Sequence, residues 1–475
     1  MSISELKQTG FVGRVLDSLS PDYEISLTRA NVAAQRKAKF IVFPTSTEDV
    51  QAAIKFATKS NLEIAIKCGG HHFSPASSVE GGIVIDMKAL NSVEIDKGNM
   101  RVTVGGGCLW GDVYTALRDH DLECVGGGVH VVGVGGHLTG GGYGPLSQKF
   151  GMACDNIISA TIVLADGRVV KASESENPDL FWAIRGGSSS FGVLVQFVLR
   201  TFPPQGPYFF KSLSYHGEAL PRVLPMLKEF LQQDFGGKTI MAFLNYVRGA
   251  APEHQPLFVL TFFGFGAVED FKAVFDSFID TAKPFHDHSV VCLTLVEFSH
   301  VQDEILLQGS PRKAVGGTPF TGLWPGMAEE VWERYVEYTD ANPDAIDTKY
   351  FFEFHNSKRF RPETTCIPIH EPKHFVCLAS EEHNYIAGDE RAQSWVHDMI
   401  EVARSYQRKY AKDLGVNGNA CSSKEKSEDV WGQNYPRLQR IKEKYDPDRV
   451  FNRYFPIEPT GKGCCEVGGV RGQST

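Results

Sequence analysis

The chain has 475 residues, 42% of them hydrophobic and 22% charged, with a formal net charge of −9 and a pI near 5.9. That length can hold two domains and a large core, and the acidic balance argues against nucleic acid as a main partner, because phosphate binding needs a basic face. No apolar run approaches the ~18 residues of a membrane span, so no membrane partner is expected.

The N-terminal stretch "MSISELKQTGFVGRVLDSL" mixes charge with short apolar pieces and has no h-region. A signal peptide is therefore not expected. The absence of an Asn-x-Ser/Thr sequon agrees with a cytoplasmic location; removal of a leader would make the protein a secreted one. The ten cysteines are scattered without a Cys-x-x-Cys pair, which reads as buried thiols rather than a disulfide framework.

In chain order, Phe40–Phe43 reads as a strand. Thr45 and Ser46 follow as N-cap candidates with acids behind them, and Val50, Ala53, Ile54, Phe56 and Ala57 recur at helical spacing. "LEIAIK" is a second strand, completing a β-α-β unit, and "KCGGHHFSPASS" (Lys67 to Ser78) is the loop that leaves it. Such loops are common ligand sites. "GGIVIDM" is a strand, "SVEIDKGNMRVTVGGG" a hairpin around Lys97-Gly98, and "GDVYTALRDHDL" a helix. More than half of residues 126–144, "GGGVHVVGVGGHLTGGGYG", are glycine. "ISATIVLADGRVV" is a hairpin turning at Asp166-Gly167, and "NPDLFWAIRGGSSSFGVLVQFVLRTFP" a helix, a small-residue loop and a strand. Beyond Pro203-Pro204 the texture changes to longer amphipathic helices ("LPRVLPMLKEFLQQ") and separate strands ("KTIMAFLNYV", "PLFVLTFFGF"). "NYPRLQRIKEKYDPDRVF" closes the ordered part with a helix and a turn.

So much glycine lets a backbone approach a ligand closely and aim several N–H groups at it, which suits a pyrophosphate. The interleaved Val131, Val132, Val134, Leu138 and Tyr143 oppose a flexible linker. The spacing G-x-G-x-x-G occurs nowhere, and neither a Walker A loop nor a G-x-S-x-G elbow is present. "HEPKH", His370 to His374, fits a zinc hydrolase signature, but that motif works only on a helix and Pro372 sits inside it; it stays a distant alternative, and no metal is expected. His71 and His72 are neighbours on an extended segment and point to opposite faces, so they chelate one ion poorly. "KYFFEFHN" places Glu353 and His355 on one strand face, and "FVCLASEEHN" places Glu381 with His383. A carboxylate and a histidine two residues apart suit a general base with an orienting partner.

Taken together, these stretches resemble the berberine-bridge-enzyme-type FAD-linked oxidases of the vanillyl-alcohol-oxidase superfamily. "KCGGHHF" is similar to the family's R-S-G-G-H loop, "VGVGGHLTGGGYG" to its glycine stretch and "NYPRLQRIKEKYDPDRVF" to its C-terminal signature. The resemblance implies an α+β fold of two domains: an FAD-binding domain (1–205), a mixed-sheet substrate domain (206–424), a return to the first domain (425–456) and a tail (457–475). It implies FAD against Lys67, Cys68, Gly69, Gly70, His71 and His72 and against Val132, Gly133, Gly136, His137, Gly141, Gly142 and Gly144, with Asn434 near the isoalloxazine. His71, directly after Gly-Gly, would carry the 8α-methyl bond, and His137 would hydrogen-bond the ribityl chain. Many members form a second bond through a cysteine eight residues before the later histidine. Here that position is Val129, so a single covalent link through His71 is expected.

The family tyrosine before the C-terminal signature has no counterpart in "DLGVNGNACSSKEKSEDVWGQNY", which leaves Glu353, His355 and Glu381 as candidate bases. Val132 stands where the family chooses between small and bulky residues near C4a, and a valine there leaves room for O₂. The expected activity is oxidation of an alcohol, amine or sugar-like small molecule with H₂O₂ as product. A dehydrogenase or a non-redox cyclase on the same scaffold is the alternative.

Overall fold

The computed structural model describes residues 2–235, 238–301, 303, 309–355, 362–368, 375–416, 419 and 425–461. The HEPKH stretch lies outside them.

Three sheets organise the chain. The first has four strands, β1 (Arg14–Leu16), β2 (Phe40–Phe43), β3 (Ile64–Lys67) and β4 (Ile83–Asp86), in the order β1-β2-β4-β3. The expected β-α-β unit forms, with α1 (Thr47–Lys59) between its strands and Ser46 capping the helix through Asp49 N. Its two strands are not neighbours, because β4 inserts between them and pairs in parallel with both. All four residues of β2 and of β4 are buried, as expected for central parallel strands covered on both faces.

The second sheet is β5 (Val93–Asp96), β6 (Arg101–Gly105), β7 (Ile157–Val163), β8 (Val169–Ser173) and β9 (Val193–Arg200), in the order β5-β6-β9-β7-β8. Both expected hairpins are present, β5–β6 and β7–β8. The glycine-rich stretch joins α2 (Trp110–Arg118) to this sheet and contains a short helix of its own, α3 (Val134–Thr139). The helix α4 (Pro178–Ile184) follows β8.

The third sheet has seven strands: β10 (Tyr208–His216), β11 (Thr239–Arg248), β12 (Pro256–Phe265), β13 (His286–Cys292), β14 (Arg312–Phe320), β15 (Lys349–Phe354) and β16 (Phe375–His383), in the order β13-β10-β12-β11-β15-β16-β14. Alternation assigns its two faces. Leu213, Leu244, Leu260, Phe352 and Cys377 share a core with α5 (Leu220–Phe230), α6 (Lys272–Ala282), α8 (Met327–Ala341) and α9 (Asp389–Tyr410). Tyr208, Phe210, Met241, Phe263 and Phe265 have the opposite parity and share a core with the second sheet and with Phe298 of α7 (Leu295–His300).

After α9 the chain returns to the N-terminal half through α10 (Tyr435–Tyr445). Lys442 and Asp446, both fully buried, form an ion pair there. The lysine also donates to Phe451 O and to Ser190 O, which precedes β9, and Asp446 accepts from Val450 N and Phe451 N at 2.9 Å. Removing one member of such a pair strands the other charge in the interior, at a cost of about 3–5 kcal/mol. Asp446→Ala should therefore lower the free energy of unfolding by about that amount, read from the urea midpoint, while Lys444→Ala on the exposed side of the same helix should change it by less than about 1 kcal/mol.

Candidate active site

β3 ends at Lys67 and the chain turns through Gly70, whose φ of +73° favours glycine. This brings the 68–72 loop against the glycine-rich stretch, backbone to backbone. A Cβ on Gly69 would lie 2.5 Å from Gly133 N, and one on Gly133 would lie 2.5 Å from Cys68 Sγ. Neither position has room for a side chain. Gly136, at the start of α3, faces open space instead.

Beside this contact lies a cavity of about 430 Å³. Of the cofactor residues expected from sequence, Cys68, Gly69, Gly70, His71, His72, Val132, Gly133, Gly136 and His137 all line it. Lys67, Gly141, Gly142, Gly144 and Asn434 do not. Lys67 pairs with buried Asp86 at 2.9 Å, Gly142 lies against the His137 ring while Gly141 lies against Ile367 and Met152 and Gly144 against Gly126 O, and Asn434 donates from Nδ2 to Cys366 O at 3.1 Å.

The two histidines of the loop are held differently. His72 Nδ1 accepts from Ser74 N at 3.0 Å, and its ring packs edge-on against Tyr454 at 4.1 Å. His71 faces the cavity, and burial, with smaller contributions from His130 and Lys67, lowers its pKa. Its imidazole is therefore neutral at neutral pH. His137 is also neutral, because burial pulls its pKa down to about 4. Its Nε2 lies 3.0 Å from Tyr143 O. A carbonyl only accepts, so Nε2 carries the proton and Nδ1 keeps a lone pair. Among the described residues that Nδ1 has no hydrogen-bond partner, and it is buried against Gly142.

Charge around the 68–72 loop also favours an anionic ligand. Arg29 packs against Gly70 and stays protonated, with a pKa lowered to about 10 by burial. Lys313, from β14, lines the cavity, and Asn31 ties it to the loop by donating to both Phe73 O and Lys313 O. Lys313 and Lys349 share one buried carboxylate, Glu382, at 2.8 and 3.0 Å. Arg29, Lys67, Lys313 and Lys349 thus stand against Asp86, Glu382 and the cavity-lining Asp303, an excess of one positive charge. A dinucleotide's diphosphate carries the complementary charge. The neutral His137, the paired glycines and this excess all fit FAD.

The candidate bases separate into two groups. His355 Nε2 is 3.0 Å from Glu353 Oε2, and the His355 ring stacks on Tyr143 at 4.6 Å. Since Tyr143 O is the partner of His137, the pair stands one residue behind the cavity wall. Glu381 has the opposite parity and points into the helix-covered face. It is fully buried, bonded to Tyr338 Oη at 2.7 Å and to His383 Nδ1 at 2.6 Å. The structure does not bring Glu381 to the cavity. Sequence reading missed Lys313, Tyr454, Ser188, Ser189 and Asp303, all of which line it; they come from distant segments with no local motif.

A family profile described as FAD binding domain matches residues 38–173, and one described as berberine and berberine like matches residues 384–458. The glucooligosaccharide oxidase of Sarocladium strictum is 34% identical over 482 residues, spanning 93% of this chain and 91% of its own. The FAD-linked oxidoreductase pgmH of Aspergillus terreus is 29% identical, with 92% of each chain covered. Among solved structures, the glucooligosaccharide oxidase of Acremonium strictum, described with a 6-S-cysteinyl, 8α-N1-histidyl FAD, has the same fold, with a TM-score of 0.79 at 21% identity over 96% of this chain and 98% of that one.

His137 also makes stability depend on pH. The unfolded chain binds a proton at this histidine near pH 6.5 and the folded chain only near pH 4, so its contribution is intact above pH 6.5 and is lost as pH falls to 4. The loss amounts to about 3 kcal/mol. Urea unfolding measured from pH 7 to pH 4 should show this slope, and His137→Gln, which cannot protonate, should flatten it by that amount.

Proposed function

The chain belongs to the berberine-bridge-enzyme-like FAD-linked oxidoreductases, and on that premise we propose that it is an oxidase that holds FAD through one covalent bond, from His71. The observation that carries this reading is the cavity wall shared by a neutral His71 and a neutral His137. Bound there, FAD would supply hydride acceptance at N5 and the reduction of O₂ to H₂O₂.

His71 has the lone pair that attachment at the flavin 8α carbon needs, and Ser74 and Tyr454 turn its neighbour His72 to a different task. Val129 lines the cavity and cannot form a thioether. Cys68 is the one cysteine among the lining residues; burial pushes its pKa up to about 11, and its thiol is directed at Cys108 O at 3.3 Å. This supports one link, in contrast to the doubly attached flavin described for the Acremonium strictum relative. Val132, also on the wall, leaves space for O₂.

Glu353, oriented by His355, would take the proton from the substrate's hydroxyl or amine. The strand face beside it, behind the residues that line the cavity, would suit a polyhydroxylated substrate. Cross-strand register puts Glu353, Phe243, Thr261 and Ser212 in one row, on the face turned away from the helices, and Phe351 and Asn245 begin the next row. At about 4.8 Å between strands, the first row extends roughly 14 Å from Glu353 to Ser212. Hydroxyl and amide groups beside aromatic rings suit a sugar-like ring, which agrees with the name of the Sarocladium strictum relative.

His71→Ala should yield protein whose colour no longer survives acid precipitation, and in the wild type the flavin adduct should map to the peptide holding His71 and to no cysteine peptide. Glu353→Gln and His355→Ala should each lower kcat/KM for an oligosaccharide substrate, followed by H₂O₂ release, by more than tenfold, about 1.4 kcal/mol. Smaller losses in both variants would remove them from the proton transfer.

A further inference from the structure

Among the described residues, one group of side chains has metal-ligand spacing, and one of its members also lines the cavity described above: His130, His300 and Asp303. We propose that these three residues bind a divalent transition-metal ion of the zinc class, which clasps the glycine-rich stretch to α7. The proposal does not depend on the flavin or on the substrate.

The geometry is close to a finished site. One ligand atom from each of the three residues lies within 4.8 Å of the others. His130 Nδ1 is 3.1 Å from Asp303 Oδ1, and His300 Nδ1 is 2.8 Å from Asp303 Oδ2. In a tetrahedral zinc site with bonds of about 2.0–2.1 Å, ligand atoms are separated by about 3.3 Å, so each imidazole is already near ligand spacing from one carboxylate oxygen, and an ion would draw the two rings toward a shared point. The two imidazoles stack at 3.9 Å with 26° between their planes, each with its Nδ1 beside a different oxygen of Asp303.

Hydrogen bonding alone does not complete the cluster. His300 Nδ1 and Asp303 form a hydrogen bond, but His130 Nδ1 is buried and among the described residues has no hydrogen-bond partner, although Asp303 Oδ1 is only 3.1 Å away. A ring nitrogen directed at a carboxylate and a second imidazole, and left unpaired, has the position of a missing ligand bond. Two imidazoles and one carboxylate are borderline donors that favour zinc, nickel or copper over magnesium or calcium, and three protein ligands leave a fourth position open.

The backbone holds the ligands in place. Gly111 N donates to His130 O at 2.9 Å, and His130 N donates to Ser299 O at 3.3 Å, next to His300. His130 lies between Val129 and Val131, both on the cavity wall, and Asp303 lines the cavity itself. An ion here would tie the wall of the flavin cavity to the helix behind it.

The test is a titration of chelator-stripped, purified protein with Zn²⁺ against a chromophoric competitor, together with thermal unfolding and Co²⁺ absorption. The expected result is one tight equivalent, a rise in Tm with Zn²⁺ and the visible bands of four-coordinate Co²⁺. His300→Ala and Asp303→Asn, both at the open side of the cluster, should each weaken Zn²⁺ binding at least tenfold and abolish the Tm rise. His288→Ala, which removes one of two histidines on the exposed strand β13, should leave both unchanged. The proposal is overturned if no stoichiometric binding occurs, if His300→Ala and Asp303→Asn bind Zn²⁺ as the wild type does, or if the binding is lost with His288.

Discussion

Two residues without side chains, Gly69 and Gly133, touch each other, and the rest of the site depends on that contact. Because neither Cβ could be accommodated, the loop leaving β3 and the stretch leading into α3 approach at backbone distance. From this the cavity gains its two walls: His71 on one, Val132, Gly136 and His137 on the other. The strands of the four-stranded and five-stranded sheets do not pair, although Val163, Val193 and Val195 of the second share a core with Phe40, Val42 and Ile83 of the first. The glycine contact is where the first sheet delivers its loop to the chain that feeds the second.

A second constraint is electrostatic. Buried charges are costly unless matched, and the N-terminal half contains a fully matched set in Lys442–Asp446, which fastens α10 to the strands. Around the 68–72 loop the matching is left incomplete, with one more cation than carboxylates. An imbalance of this kind in a partly buried wall is stable when a ligand supplies the missing charge. Lys313 and Lys349 come from the seven-stranded sheet, so the ligand that neutralises this wall also joins the sheet to the N-terminal half.

Much of this was legible in the sequence, because the elements concerned are local. The strand at Phe40, its capped helix, both hairpins and the α10 signature each rest on short-range patterning, and each formed. The insertion of β4 between β2 and β3 was not legible, since both orders bury the same apolar residues. The helix α3 was hidden by its glycines, which lower helical propensity; its turn is held from outside, by Leu109–Gly133 bridging at its start and by the packing of Trp110 on His137. Lys313 and Asp303 were invisible for a different reason. Each enters the site from a segment far along the chain, and nothing adjacent to them in sequence marks a ligand.

Strand parity sharpens the choice among the acidic candidates. Glu353 and Glu381 were equivalent as sequence, each with a histidine two residues on. Register separates them: Glu353 lies beside Val376 on β16, while Glu381 lies five residues further along that strand and on the other face. On that face Glu381 meets Tyr338, Arg391 and His383, partners enough to satisfy a buried carboxylate and hold α8 and α9 to the sheet. Glu353 has one histidine and a half-open surface. A carboxylate saturated with donors is a poor base, because each donor stabilises its charged form; one with a single orienting partner keeps lone pairs for a substrate proton. The same Glu-x-His pattern therefore serves packing on one face of the sheet and is available for chemistry on the other.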